Sequence, residues 1–184
     1  MRYRRILIEG ASYCFTVVTH RRRPLFSDPL TVQLLIDSIA AVRQRHPFKI
    51  EAQVILPDHL HALWTLPDGD ARYATRWRLI KEAFTRAYCH THIVPERTEV
   101  ARARGEQPVW QRRFWEHMIS NEREFADCLD YLHRNPVHHG LVSSPRDWPH
   151  STIADWVERS VYEPTWGSDE SPKLPEWARC HEDN

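Results

Sequence analysis

Two pairs of side chains have the type and spacing for chemistry. His59 and His61 fall in His59-Leu-His-Ala-Leu-Trp-Thr-Leu66, where Leu60, Ala62, Trp64 and Leu66 share one face of a predicted strand and the histidines the other. Residues i and i+2 of a strand point the same way, so both imidazoles can hold one ion. Tyr131 and Asn135 stand four apart and leave the same side of a predicted helix. A tyrosine beside a ligand-capable amide fits a nucleophile next to a metal. It equally fits a core tyrosine and a helix-ending asparagine. Twelve histidines in 184 residues give about 0.7 His-x-His pairs by chance, so the pattern alone also fits two half-exposed strand histidines. The second pair, His90/His92, ends a predicted helix, where i and i+2 diverge by roughly 200° and cannot chelate together.

With a pKa near 10, a free tyrosine is only about 0.1% phenolate at pH 7. A nucleophilic tyrosine therefore wants a metal or cation beside it, and a substrate polarised by that neighbour. His59, His61 and Asn135 would offer two imidazoles and an amide oxygen, leaving positions open for phosphate oxygens and water. Such a set suits Mg²⁺ or Mn²⁺, with the imidazoles favouring Mn²⁺. Structural zinc would want cysteines or a fourth protein ligand. Cys14, Cys89, Cys128 and Cys180 are scattered without a Cys-x-x-Cys, which argues against zinc ribbons and disulfide frameworks and points to a reducing cytoplasm.

The elements that must position these residues follow from periodicity. Ser12–Thr19 reads as a strand, ended by Arg21-Arg-Arg-Pro24 with three positive charges at its exit. Leu30–Arg45 reads as a helix with Leu34, Leu35, Ile39 and Val42 at helical spacing. Phe48–Leu56 alternates, with Ile50, Ala52, Val54 and Leu56 on one face, and Pro57-Asp58 turns it into the histidine strand. Ala71–Cys89 reads as a second helix whose buried stripe is Tyr73, Trp77, Ile80, Phe84 and Ala87, with Arg72, Arg76, Arg78, Lys81 and Arg86 largely off it. Residues 93–108 are polar and read as a surface loop. Val109–Ile119 reads as a strand rich in aromatics and arginine. Asn121 with Glu124 forms a capping box for a third helix, and Pro136 and Gly140 mark its stop and exit. The order β-α-β-β-α-β-α predicts an α+β protein with a ferredoxin-like, RRM-like antiparallel sheet and helices packed on it.

Composition narrows the partners. The chain has 41% hydrophobic residues and a formal net charge of zero, no apolar run long enough for a membrane span, and no signal-peptide pattern near Met1. Residues 155–184 carry eight acids against three bases. They read as an acidic C-terminal tail beyond a basic domain over residues 1–154. Most of the bases are arginine, suited to bidentate phosphate contacts and to stacking on bases, and the chain holds eight tryptophans. Arg21, Arg22, Arg23, Arg78, Lys81, Arg112 and Arg113 are the candidate nucleic-acid contacts. Trp110, Phe114 and Trp115 are available either to stack bases or to fill the core.

Five stretches carry a family resemblance. Pro57-Asp-His-Leu-His-Ala-Leu63 resembles the metal-binding His-hydrophobe-His strand of the HUH endonucleases. Val109-Trp-Gln-Arg-Arg-Phe-Trp-Glu-His-Met-Ile119, Tyr131-Leu-His-Arg-Asn-Pro-Val-His-His-Gly-Leu-Val142 and Asp147-Trp-Pro-His-Ser-Thr152 are similar to their single-tyrosine branch, in particular to transposases associated with bacterial repetitive extragenic palindromes. Tyr13–Phe26 fits the first strand of that branch, and the resemblance spans roughly residues 3–166. It implies that Tyr131 attacks a phosphate of hairpin-bearing single-stranded DNA, forming a 5′-phosphotyrosine and freeing a 3′-hydroxyl. His59 and His61 would bind the divalent ion with Asn135 as third ligand, where insertion-sequence relatives carry Gln. It also implies a monomer rather than the dimer of those relatives. The alternative is a hairpin-binding protein that has lost cleavage. An RNA-binding module on the same sheet would instead present stacking aromatics on the open face.

Overall fold

The computed structural model describes residues 7–92, 99 and 109–168. The expected loop over 93–108, apart from residue 99, and the tail beyond residue 168 lie outside them. No helix among the described residues is long and apolar enough to cross a membrane.

Strands β1 (Ser12–Val18), β2 (Lys49–Ile55), β3 (His59–Thr65) and β4 (Trp115–Met118) form one sheet in the order β2-β3-β1-β4, with every pairing antiparallel. Helix α1 (Pro29–Arg45) connects β1 to β2, and α2 (Tyr73–Thr91) connects β3 to β4. This is the split βαβ arrangement anticipated from element order. Asp28 caps α1 by accepting from the amides of Leu30 and Thr31, with Pro29 at the first helical position where its missing N–H costs nothing.

The two faces of the sheet bury different things. On one, Tyr13, Phe15, Val17, Leu60, Ala62 and Trp64 pack against α1 and α2, with Trp64 and Trp77 stacked at 4.1 Å. On the other, Cys14, Ala52, Val54 and Leu63 pack against α3 (Glu122–His138) and α4 (Ile153–Glu158). The face that an RRM leaves open is therefore covered here, and the histidines point into it.

Three expectations are corrected locally. A register shift between Ile50 and Ala52 puts Ile50 on the α1/α2 side, apart from Ala52, Val54 and Leu56. One extra residue in a strand reverses the alternation. Arg76 is buried at 2% exposure rather than off the stripe. It donates to the carbonyls of His46 and Pro47 and pairs with Asp70. The aromatic stretch 109–119 forms a strand only over Trp115–Met118, with an isolated bridge from Trp110 to Thr19.

The segment after α3 runs along the free edge of β2. Ile55 donates to the His150 carbonyl, and Thr152 exchanges hydrogen bonds with Gln53. The indoles of Trp148 and Trp156 donate to the carbonyls of Ile55 and Glu51. These contacts satisfy edge groups that would otherwise be open to another strand. The boundary at residue 154 falls inside α4, and residues 155–168 are packed on the domain. Tyr162 donates to Asp130 at 2.7 Å, and the Arg134 guanidinium lies 4.5 Å from the Trp166 ring centroid.

Candidate active site

His59 and His61 project from β3, which is paired on both sides and so holds them on a rigid support. Both are buried, at 5% and 2% exposure, with ring centroids 4.9 Å apart. Each ring is oriented through its Nδ1. Thr16 stands opposite His61 in the β1–β3 register, and its Oγ1 lies 3.0 Å from His61 Nδ1. With Nδ1–H donated to Thr16, the lone pair is on Nε2, which is buried and has no hydrogen-bond partner. His59 Nδ1 meets Asp58 Oδ1 at 2.5 Å, and Arg22 donates to the other carboxylate oxygen at 3.3 Å. A carboxylate behind a ligating histidine fixes the tautomer and makes the opposite nitrogen the better donor.

The electrostatics favour the ligand form. Burial pushes the His61 pKa well below its ordinary value, and the His59 and His139 charges add to this. The ring therefore stays neutral at physiological pH, as a metal requires. At Asp58 burial pushes the carboxyl up, but hydrogen bonding and charge from His59, with Arg22 behind, outweigh it and keep the group ionised.

Helix α3 brings the other pair. Asn121 accepts from the amide of Glu124, while Glu124 reaches back to the Ser120 amide and to His117. Pro136 does not stop the helix, which runs to His138. The turn closes instead at Gly140, with φ of +66°, where the His139, Gly140 and Leu141 amides return to carbonyls of the last turn. Continuing through Pro136 keeps Asn135 inside regular helix, one turn beyond Tyr131 and on its face. Both are buried, at 6% and 1% exposure, and the Tyr131 ring lies 5.3 Å from that of His61.

Neither amide atom of Asn135 has a hydrogen-bond partner. A buried amide with both ends open, facing an imidazole nitrogen also open, is a costly arrangement unless a further group fills it. Among the described residues no three His, Cys, Asp or Glu side chains cluster to hold an ion. His59, His61 and the Asn135 oxygen are neutral N/O donors that fit a divalent cation with open positions.

The candidate DNA contacts divide between two places. Arg22 joins the site through Asp58. It and Arg21 take left-handed backbone conformations (φ 49° and 56°), strained for residues with a Cβ and found most often where function constrains the chain. Arg21 is exposed, and Arg23 is half-buried with its carbonyl accepting from Thr19. Arg78, Lys81 and Arg112 do not approach the histidines. They line a cavity of about 730 Å³ between α2 and residues 110–114. Arg113 is exposed beside it. Trp110, at 2% exposure, belongs to the core and is not free to stack on bases.

Sequence reasoning missed Thr16, Asp58 and His139. Asp58 is adjacent to His59 and could have been flagged as a histidine orienter. Thr16 becomes visible only through strand register. The His139 ring lies 5.2 Å from that of His59, placed there by the Gly140 turn. His133, on the same helix, is fully buried and meets Thr152 at 3.1 Å; burial lowers its pKa to about 3.

No family model matches the chain. Its fold is similar to a solved structure of a REP-associated tyrosine transposase bound to a REP hairpin, with a TM-score of 0.74 and 38% identity, covering 94% of this chain and 96% of that one. It is 41% identical over 169 residues to the REP-associated tyrosine transposase of Escherichia coli K12, covering 91% of each chain. A Haemophilus influenzae protein given the same family name is 36% identical over 182 residues, covering 94% of this chain and 96% of its own length. With likeness of this extent in both sequence and fold, the chain belongs to the REP-associated tyrosine transposases.

Proposed function

We propose that this chain is a metal-dependent single-strand DNA endonuclease and strand transferase that acts on hairpin DNA through Tyr131. The observation that carries this reading is the convergence of Tyr131 with His61 across 5.3 Å, beside an Asn135 amide and a His61 Nε2 that lack partners. A structural tyrosine needs no such neighbours. The solved relative bound to a REP hairpin supports hairpin DNA as the substrate class.

His59, His61 and Asn135 would hold a divalent ion, Mg²⁺ or Mn²⁺. Bound there, it would polarise the scissile phosphate and offset the charge that builds on it. Thr16 and Asp58 keep the imidazoles in the tautomers that present Nε2. Helix α3 sets the Tyr131 phenol against this group. The Tyr131 oxygen attacks phosphorus, the bond to the 3′ oxygen breaks, and a 5′-phosphotyrosine and a free 3′-hydroxyl result. The enzyme-linked strand can then pass to a second 3′-hydroxyl by the reverse step. All four side chains come from one chain, which supports action as a monomer.

The test is to incubate the protein with labelled hairpin-bearing single-stranded DNA and Mn²⁺, then denature in SDS. An SDS-resistant adduct is expected with wild type and not with Tyr131→Phe, EDTA, or His59→Ala combined with His61→Ala. DNA binding without an adduct under any divalent ion would instead identify a hairpin-binding protein that has lost cleavage.

A further inference from the structure

We propose that His139 is a substrate-binding residue of the same site, donating an imidazole N–H to a non-bridging oxygen of the phosphate that Tyr131 attacks. The identity of that phosphate rests on the cleavage reading above, and the test separates the two.

Helix α3 presents three residues to the strand histidines. Tyr131, Asn135 and His139 follow one another at intervals of four, about 6 Å apart along the axis and about 40° apart around it, so they share one face. His139 closes the helix, yet its amide still donates to the Asn135 carbonyl at 3.0 Å, which keeps it one turn beyond Asn135. Gly140, with φ of +66°, turns the chain away directly after it. The ring contacts pair off in order. Tyr131 meets His61 at 5.3 Å with the planes 72° apart, and His139 meets His59 at 5.2 Å and 73°. The two strand rings are themselves 4.9 Å apart.

Burial is graded along this stripe. Tyr131 and Asn135, at 6% and 1% exposure, are inside, while His139 is exposed. The stripe is thus open to solvent at its His139 end, and a phosphate entering toward His59, His61 and Asn135 comes alongside that imidazole. His139 is close enough for its charge to be felt at His61. It does not complete a three-histidine ion site with His59 and His61, since no such group occurs among the described residues. It stands beside the donor set without joining it, where a bond to the substrate fits better than a bond to the ion. A phosphodiester held by an ion through one non-bridging oxygen has a second one to satisfy. Charge grows on that oxygen as phosphorus is attacked, so a fixed N–H donor there is worth most in the transition state. An imidazole carries at least one N–H whether neutral or charged, so the role needs no proton transfer. A histidine in the last turn also favours a helix C-terminus. That role alone would move stability and leave the reaction untouched.

Two measurements on the full chain test this. In single-turnover adduct formation on hairpin-bearing single-stranded DNA with Mn²⁺, His139→Ala should slow the rate on the order of 100-fold. His139→Gln, which keeps an N–H donor, should recover at least tenfold of that loss. Mn²⁺ affinity by calorimetry should stay at the wild-type value in both variants. The second measurement uses Tyr131→Phe, which cannot form the proposed adduct, and anisotropy in Mn²⁺ with DNAs whose flanking phosphates are replaced one at a time by neutral methylphosphonate. One position should weaken binding about tenfold, and no more than about threefold once His139→Ala is added, because the hydrogen bond is already gone. Wild-type cleavage by His139→Ala, a fall in its Mn²⁺ affinity, or the same methylphosphonate penalty with and without His139 would overturn the proposal. Absence of any adduct with the wild-type protein would instead remove the cleavage reading, while the anisotropy series still reports whether His139 holds a phosphate.

Discussion

Each residue of the site acts through a neighbour that fixes it. In the proposed metal site His59 depends on Asp58, which holds its Nδ1 and is held in turn by Arg22. Replacing Asp58 with Asn should leave folding intact and weaken Mn²⁺ binding about 10–100-fold. Calorimetric titration of the metal-free protein checks this, and unchanged affinity would remove Asp58 from the account. A different residue-scale effect lies away from the site, at the buried Arg76. Its hydrogen bonds to Asp70 are the largest influence on that carboxyl and hold it well below the usual carboxylate range. A carboxyl depressed in the folded state stabilises above its unfolded pKa of about 4 and loses that contribution as pH falls toward the folded value. Arg76→Met should therefore cost about 2 kcal/mol at pH 7, where it takes one partner from the half-buried Asp70 and leaves the His46 and Pro47 carbonyls without theirs. The difference from wild type should narrow below pH 4, read by urea denaturation at each pH.

Among the elements, α3 carries Tyr131 and Asn135 and is clamped at both ends and along its back. The Asn121 cap, the Gly140 turn, the His133–Thr152 contact and the Tyr162–Asp130 bond all fix its place. Asn121→Ala should cost about 1 kcal/mol of stability. Gly140→Ala forces a Cβ into a left-handed conformation and should cost about 1 kcal/mol as well. Thermal denaturation measures both. How much of this was legible in the sequence differs by element. The alternation around His59 and the stripe Tyr73, Trp77, Ile80 and Phe84 gave β3 and α2 because one face of each is uniformly apolar. Asn121 and Glu124 gave the start of α3 because capping is a local contact. Its end was misread, because Pro136 breaks a helix only where the surroundings cannot tolerate the lost hydrogen bond. Ile50 was assigned to the wrong face because a bulge depends on the partner strand. Thr16 was missed for the same reason: its role comes from lying opposite His61 across the sheet.

At the scale of the molecule, the two faces of the sheet carry different features. One face buries the histidine–tyrosine site under α3, and the other carries the cavity lined by Arg78, Lys81 and Arg112. The segment from Trp148 to Trp166 binds the β2 edge and the back of α3 together, so part of the acidic region contributes to the domain that positions Tyr131. Trp156→Ala removes an indole packed on that core and its bond to Glu51, and should destabilise by about 3 kcal/mol. A loss below about 1 kcal/mol by chemical denaturation would mean that the segment is not needed for the fold. The central claim, that Tyr131 is the nucleophile, is tested most directly by locating the covalent bond. Wild-type protein is incubated with hairpin-bearing single-stranded DNA and Mn²⁺, digested with nuclease and protease, and analysed by tandem mass spectrometry. The account predicts a 5′-nucleotide phosphodiester on the peptide containing Tyr131. A linkage to any other tyrosine, or adduct formation that persists in Tyr131→Phe, would contradict it.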